Sequence, residues 1–264
     1  MKDLQNKVVW ITGASSGIGE ALVKLLSKRG AKIIISSRRY DELIRVKNEA
    51  LLGESESMLI VFDLSDLSQL YVMVKKVIAK FGRIDILINN AGISQRSKAS
   101  ETAVEIDRKI MEVNYFGTVA LTKAVLPYMI AQKRGYIVAL SSLMGKIGFY
   151  NRTAYAASKH ALHGFFDSLR MEVLEDNIKV MLVCPGYVKT NISLNALNSN
   201  GEAHGVMDKN QEKGMSAEEC ATAIVHGIEN NKKEMILGGK EVVAVWIERF
   251  FPRVFHIIAK NQNH

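Results

Sequence analysis

Short apolar, β-branched runs alternate with amphipathic stretches along this chain. Lys7-Val8-Val9-Trp10-Ile11, Ile33-Ile34-Ile35, Met58-Leu59-Ile60-Val61-Phe62 and Ile137-Val138-Ala139-Leu140 lack the polar alternation of a half-solvated strand, so each reads as a strand buried on both faces. The pattern predicts strands near 7–12, 32–37, 58–62, 84–89, 135–141, 178–184 and 234–237, with amphipathic helices between them. That alternation implies an α/β chain, a doubly wound parallel sheet with helices on both faces. The 264 residues include three prolines and show no repeat or linker-like tract, which predicts one domain over 1–264.

The first strand feeds directly into Thr12-Gly13-Ala14-Ser15-Ser16-Gly17-Ile18-Gly19, and a helical pattern follows from Glu20 to Leu26. Strand, glycine turn and helix together place backbone N–H groups and a helix N-terminus where a diphosphate can bind. A plain β–α turn needs only one of the three glycines. The spacing Gly-x3-Gly-x-Gly also differs from the commoner Gly-x-Gly-x-x-Gly.

Tyr155 and Lys159, four apart, share one face of a predicted helix. An ammonium about 4 Å from a phenolate is worth roughly 4 kcal/mol at an effective dielectric near 20. That would bring a tyrosine from about 10 to near 7, within reach of general acid–base work. Alone the pair carries little weight, since Tyr and Lys occur four apart on many amphipathic helices.

Taken together, these residues resemble the short-chain dehydrogenase/reductase family over nearly the whole chain. Thr12-Gly13-x3-Gly17-x-Gly19 is similar to its cofactor loop, and Asn89-Asn90-Ala91-Gly92 to the motif after its fourth strand. Asn114 stands where the family keeps a helix-kinking Asn. Ser142 lies at the family's spacing before Tyr155, and Pro185-Gly186-Tyr187-Val188-Lys189-Thr190 resembles the segment that holds the nicotinamide. The loop after Asn191 and the run Ser158 to Arg170 resemble the member-seven branch.

The resemblance implies a Rossmann-type fold and a catalytic set of Asn114, Ser142, Tyr155 and Lys159. In that set Tyr155 serves as acid/base, Lys159 lowers its pKa and holds the nicotinamide ribose, and Ser142 donates to the developing alkoxide. Asn114 kinks its helix and frees a carbonyl for a water behind Lys159. The cofactor contacts implied are Gly13, Ser15, Ser16, Gly17, Ile18, Gly19, Arg38, Asp63, Asn90, Ala91, Gly92, Tyr155, Lys159, Pro185, Gly186, Val188 and Thr190. Asp63 reads equally as an adenine ligand or a helix cap. NADP(H) is the expected cofactor, because Ser36-Ser37-Arg38-Arg39 lacks the acid of NAD-preferring relatives and offers Arg38 to a 2′-phosphate. The expected partners are a small hydrophobic carbonyl or alcohol substrate and further copies of the chain, as homodimer or homotetramer, through helices near 103–131 and 153–175. The rival class is a non-catalytic NADP(H)-sensing regulator. Such proteins usually lose the Tyr-x3-Lys pair or the Ser.

Residues 191–215 carry Ile192, Leu194, Leu197, Val206, Met207 and Met215 among three glycines, which suits a substrate lid. Leu143, Met144, Phe149 and Tyr187 are expected to face it, giving an apolar pocket with no unpaired Arg or Lys. Tyr150 and Asn151 depart from the Pro that many relatives have there, which unsettles inherited substrate preferences. In the C-terminal extension, 240–264, Trp246, Phe250, Val254 and Ile258 share a helical face with Arg249, Arg253 and Lys260 interspersed. That face reads as a membrane-surface helix or as packing on the lid or a neighbouring subunit. Pro252 favours packing.

The net charge of +8 rests on scattered basic pairs without an interleaved aromatic stripe, so no nucleic-acid partner is expected. Cys184 and Cys220 have no metal-ligand or redox spacing and are expected buried and reduced. With no leader-like or membrane-spanning run, a cytoplasmic setting follows as the expectation.

Overall fold

A computed structural model describes residues 3–261. Its strands are β1 (Val8–Thr12), β2 (Lys32–Ser37), β3 (Ser57–Val61), β4 (Ile86–Asn89), β5 (Gly135–Leu140), β6 (Ile178–Pro185) and β7 (Glu234–Leu237). They form one parallel sheet in the order β3-β2-β1-β4-β5-β6-β7. The helices are α1 (Gly17–Lys28), α2 (Tyr40–Glu49), α3 (Leu70–Phe81), α4 (Val104–Met111), α5 (Gly117–Ala131), α6 (Thr153–Glu172), α7 (Lys209–Glu212), α8 (Ala217–Glu229), α9 (Val242–Phe250) and α10 (Pro252–Asn261).

The uninterrupted apolar strands are explained by helices on both faces. In β1, Val9 and Ile11 pack with Leu22, Leu26, Ile224 and Ile228 of α1 and α8. Val8 and Trp10 point the other way, into a cluster with Val74, Leu121, Val125 and Phe166 of α3, α5 and α6. Strand order reverses between β1 and β4, so the loops leaving these strands part and open a crevice at their carboxyl ends.

Three stretches differ in detail from the sequence pattern. The fourth strand begins at Ile86 rather than 84, because Asp85 is wholly buried and accepts from Val8 N (2.9 Å) while pairing with Arg83. A buried carboxylate needs such partners. The helix expected over 103–131 is divided by a π-helical turn, Glu112–Phe116, that contains Asn114. At the C-terminus, Val245 and Phe255 are buried against Leu143 and Ile147, with Val242, Ala244, Ile247 and Ala259 packed around them. Trp246, Phe250, Val254 and Ile258 stay exposed instead of covering residues 191–215, and the Trp246 and Phe250 rings stack at 6.2 Å. No helix among the described residues is long and apolar enough to cross a membrane.

Candidate functional site

The crevice is a cleft of about 540 Å³. One end is walled by the glycine loop. Gly17 has φ +57°, and a Cβ there would press on the Thr190 methyl at 2.9 Å, so only glycine fits between the loop and the segment after β6. At Gly19 a Cβ would collide with the Gly13 carbonyl oxygen. Asn90 locks the loop to the β4 end by donating to Thr12 O (2.9 Å) and Gly13 O (3.1 Å), while Thr12 Oγ1 accepts from Asn90 N and Ala91 N. The Ser16 side chain does not cap α1, which leaves the N–H groups of its first turn facing the cleft.

Tyr155 and Lys159 rise from the first turns of α6, both buried, beside Ser142 at the end of β5. Ser142 Oγ donates to Pro185 O (3.5 Å), and hydrogen bonding by its hydroxyl favours the ionised form of the Tyr155 phenol. Ser142 Oγ also accepts from Met144 N (3.2 Å), so it both faces the phenol and starts a short helical turn, Leu143–Gly145. Ser141 turns inward and donates to Lys159 O (3.1 Å). Asn114 is fully buried. Its Oδ1 accepts from Ile93 N (2.8 Å), and its Nδ2 donates to Ile93 O (2.9 Å) and Ser158 Oγ (3.0 Å). The π turn thereby clamps the segment after β4 to α6, immediately behind Lys159.

The electrostatics depart from the expectation of a phenol tuned by its neighbouring ammonium. Lys159 Nζ donates to Leu140 O (2.8 Å) and lies 5.8 Å from the Tyr155 ring centroid. Burial lowers Lys159 to about 8 and raises Tyr155 above its ordinary value; the Ser142 hydrogen bond and the charges of Arg96 and Arg152 partly offset this. The lysine therefore does not bring the phenol towards 7 here. A main-chain carbonyl competes for its ammonium.

Every cofactor contact expected from the sequence except Gly19 lines this cleft, as do Ser142, Tyr155 and Lys159; Asn114 braces it from behind. Asp63 has two roles. Its Oδ1 accepts from Ser65 N (2.9 Å) and Ser65 Oγ (2.7 Å), and its Oδ2 lies 3.6 Å from Arg38. Burial pushes its carboxyl up, but the Ser65 bonds and the Arg38 charge outweigh that and hold it below the usual range. The helix cap is its neighbour Asp66, which accepts from Ser68 N. Arg39 reaches over the glycine loop to Ser15 Oγ (3.0 Å) and Ser16 Oγ (3.1 Å), so it joins Arg38, the only arginine expected there, at this end of the cleft.

Within 191–215, Ile192 and Leu197 reach the cleft, whereas Val206 is exposed. Leu143 and Met144 pack under α9 and α10 instead of lining the cleft. The sequence points to no unpaired Arg or Lys among the expected pocket positions, and the cations whose charge reaches Tyr155 are ion-paired ones from outside that set. Arg96, Arg152 and Asp208 converge from three separate segments, and the charges of the two guanidiniums reach Tyr155. No spacing in the sequence joins these three residues. Behind Lys159, Cys184 Sγ lies 3.5 Å from His163 Nε2, and Lys146 holds Glu234 at 2.5 Å beside them.

A family model described as short chain dehydrogenase matches residues 7–201. The chain is 45% identical over 267 residues to the dehydrogenase/reductase SDR family protein 7-like of Anopheles gambiae, covering 99% of this chain and 84% of that one. It is 43% identical over 258 residues to dehydrogenase/reductase SDR family member 7B of Mus musculus, covering 96% and 80%. Among solved structures, a short-chain dehydrogenase from Streptomyces avermitilis superposes with a TM-score of 0.81 at 26% identity, over 98% of this chain and all of that one. A short-chain dehydrogenase/reductase from Burkholderia phymatum, solved in complex with NAD, gives 0.86 at 21% identity over 96% of each chain, and shows the shared fold. With its glycine loop, its Tyr-x3-Lys helix and relatives this similar over nearly the whole of its own length, the chain belongs to the short-chain dehydrogenase/reductase family of oxidoreductases.

Proposed function

We propose that this protein is an NADP(H)-dependent oxidoreductase that interconverts a carbonyl and an alcohol on a largely apolar substrate, with Tyr155 as acid/base. The observation that carries the reading is the meeting of Ser142, Tyr155 and Lys159 on one wall of the cleft that the glycine loop closes. The donor set suits a dinucleotide. Open N–H groups at α1 face a diphosphate, Asp63 an adenine amino group, and Arg38 and Arg39 a 2′-phosphate. A nicotinamide dinucleotide would supply the hydride.

The chain's own residues would do the rest. A phenol held above its usual pKa stays protonated at neutral pH and is a competent donor to a carbonyl oxygen. Ser142 Oγ, on the same wall of the cleft as the phenol, stabilises the negative charge as it develops on that oxygen. Lys159 keeps a positive charge near the ring, and Asn114 fixes the α6 turn that carries both. The reduced carbon gains the hydride and the oxygen gains the phenolic proton. The phenolate then recovers a proton from solvent.

The test is NADPH oxidation against a panel of ketones and aldehydes, with the alcohol product identified. Consumption of NADPH with stoichiometric alcohol supports the reading. Tight NADPH binding with no turnover on any carbonyl, or on a cell metabolite extract, would instead favour a cofactor-sensing protein.

A further inference from the structure

We propose that the substrate carries an acidic group, a carboxylate or phosphate monoester, that seats between the guanidiniums of Arg96 and Arg152. The proposal rests on the carbonyl-oxidoreductase reading above and names the substrate class for that site.

The site is built from the core outward. Gln95 is fully buried in the segment after β4. Its Oε1 accepts from Ala154 N (2.9 Å), and its Nε2 lies within 3.4 Å of Thr153 Oγ1 and 3.2 Å of Ser97 Oγ. This amide fastens the β4 loop to the start of α6, and so sets Arg96 beside Arg152. Arg96 is held further by its own N–H to Leu197 O (2.8 Å), and by Nη1 to Gln95 O (2.9 Å) and Ser94 Oγ (3.0 Å). Both side chains are largely buried, 13% and 15% exposed.

Two buried cations then share one carboxylate. Asp208 Oδ2 lies 3.4 Å from Arg152 and 3.7 Å from Arg96, longer than the roughly 2.7–2.9 Å of a close charge-assisted bond. Its other oxygen is spent on Asn210 N (3.0 Å). One positive charge is left over in a desolvated place, which is costly unless an anion arrives. Burial indeed pulls Arg152 down to about 10. The guanidinium fork is suited to bidentate oxyanion recognition. The pair also lies where its charge reaches Tyr155, so an acid seated there would tether the substrate close to the proton donor. Asp208 belongs to 191–215, so the incoming acid would take over the partner that this segment now provides.

The experiment uses the full chain with NADPH and three matched methyl ketones: 8-oxononanoate, its methyl ester, and 8-oxononyl phosphate. Either acid should exceed the ester by roughly ten- to a hundredfold in kcat/KM, the span of one charge-assisted bond. The better of the two identifies the headgroup. In Arg96→Gln and Arg152→Gln that acid-to-ester ratio should collapse towards one, while Arg152→Lys should retain part of it. A second readout needs no hydride transfer: octanoate or octyl phosphate should raise the melting temperature of the wild-type chain more than octanol does, and the Gln variants should lose that difference. If no ketone turns over, the reductase reading fails, and the melting shift alone decides the acid site. Equal rates for ester and acids with equal shifts, or a preference that survives both Gln variants, would overturn the proposal and leave the arginines as a latch for 191–215. If the variants fail to fold, the wild-type comparison of acids with ester still decides between these outcomes.

Discussion

Two arginine pairs stand under opposite physical conditions, one lining the glycine-loop end of the cleft, the other outside its lining with its charge reaching Tyr155. Arg38 and Arg39 are neighbours in the chain where β2 ends, Arg38 is 62% exposed, and their partners are Asp63 and two loop serines. Arg96 and Arg152 come from different loops, are largely buried, and share Asp208. An exposed guanidinium stays hydrated until a ligand arrives, so holding it costs the fold little. A buried one is desolvated permanently and weighs on stability whether or not anything is bound. The first pair can thus be altered with consequences for binding alone, and the second cannot.

The largest expected effect lies at Tyr155. Tyr155→Phe should lower turnover by roughly 10²–10⁴-fold, the usual span of a positioned general acid. NADPH affinity, measured by fluorescence titration, should stay nearly constant, since the ring remains. Near-normal turnover would remove the phenol from the mechanism.

Lys159 is a third buried cation and sharpens the contrast. It titrates at about 8 when folded against an ordinary 10.5, so between those values the unfolded chain holds more protons. Its destabilising contribution is complete below about pH 8 and fades as pH climbs to 10.5. At ~1.36 kcal/mol per unit the ceiling is roughly 3 kcal/mol. Lys159→Met should raise the melting temperature at pH 7 and flatten the wild-type rise between pH 8 and 10, while abolishing turnover. A variant less stable than wild type at pH 7 would contradict this account.

At the exposed pair, Arg38→Ala and Arg39→Ala should each weaken NADPH by about ten- to a hundredfold and NADH much less, by loss of a bond to the 2′-phosphate. Equal losses for both cofactors would break the NADP(H) assignment. Melting temperatures of both variants should stay near wild type.

The smallest effect is the reverse experiment at the buried pair. Arg152→Met leaves Arg96 and Asp208 as a balanced couple, and should be neutral or stabilising by about 1 kcal/mol, a rise of roughly 2–4 °C in melting temperature for a chain of this size. A clear loss of stability would mean that both cations are already well compensated.

These two regions also differ in how legible they are in the sequence. The glycine loop, the Asn-Asn-Ala-Gly turn and the Tyr-x3-Lys helix are local, and each keeps its geometry within a few residues of backbone. All seven strands fall within two residues of their predicted bounds, because buried parallel strands write themselves as continuous apolar runs. Arg96, Arg152 and Asp208 become neighbours only through tertiary folding, and no local pattern records that. The ammonium of Lys159 is equally hidden, because helical spacing fixes where a Cβ sits but not which carbonyl a long side chain will choose. At 246–258 the helical periodicity is plain in the sequence and the packed face is not: the chain buries Val245 and Phe255, and leaves the larger aromatic stripe outside.

The seat of Ser142 has a consequence in time rather than in space. The turn that Ser142 starts, Leu143–Gly145, is roofed by Val245 of α9 and Phe255 of α10, which pack on Leu143 and Ile147. During synthesis the sheet order can be completed once β7 has emerged, yet this serine's turn remains uncovered until the last helices arrive. The fold can therefore exist before the site does. A ribosome stalled with β7 just clear of its exit tunnel would hold a chain whose glycine loop is assembled while the turn at Ser142 still lacks its roof.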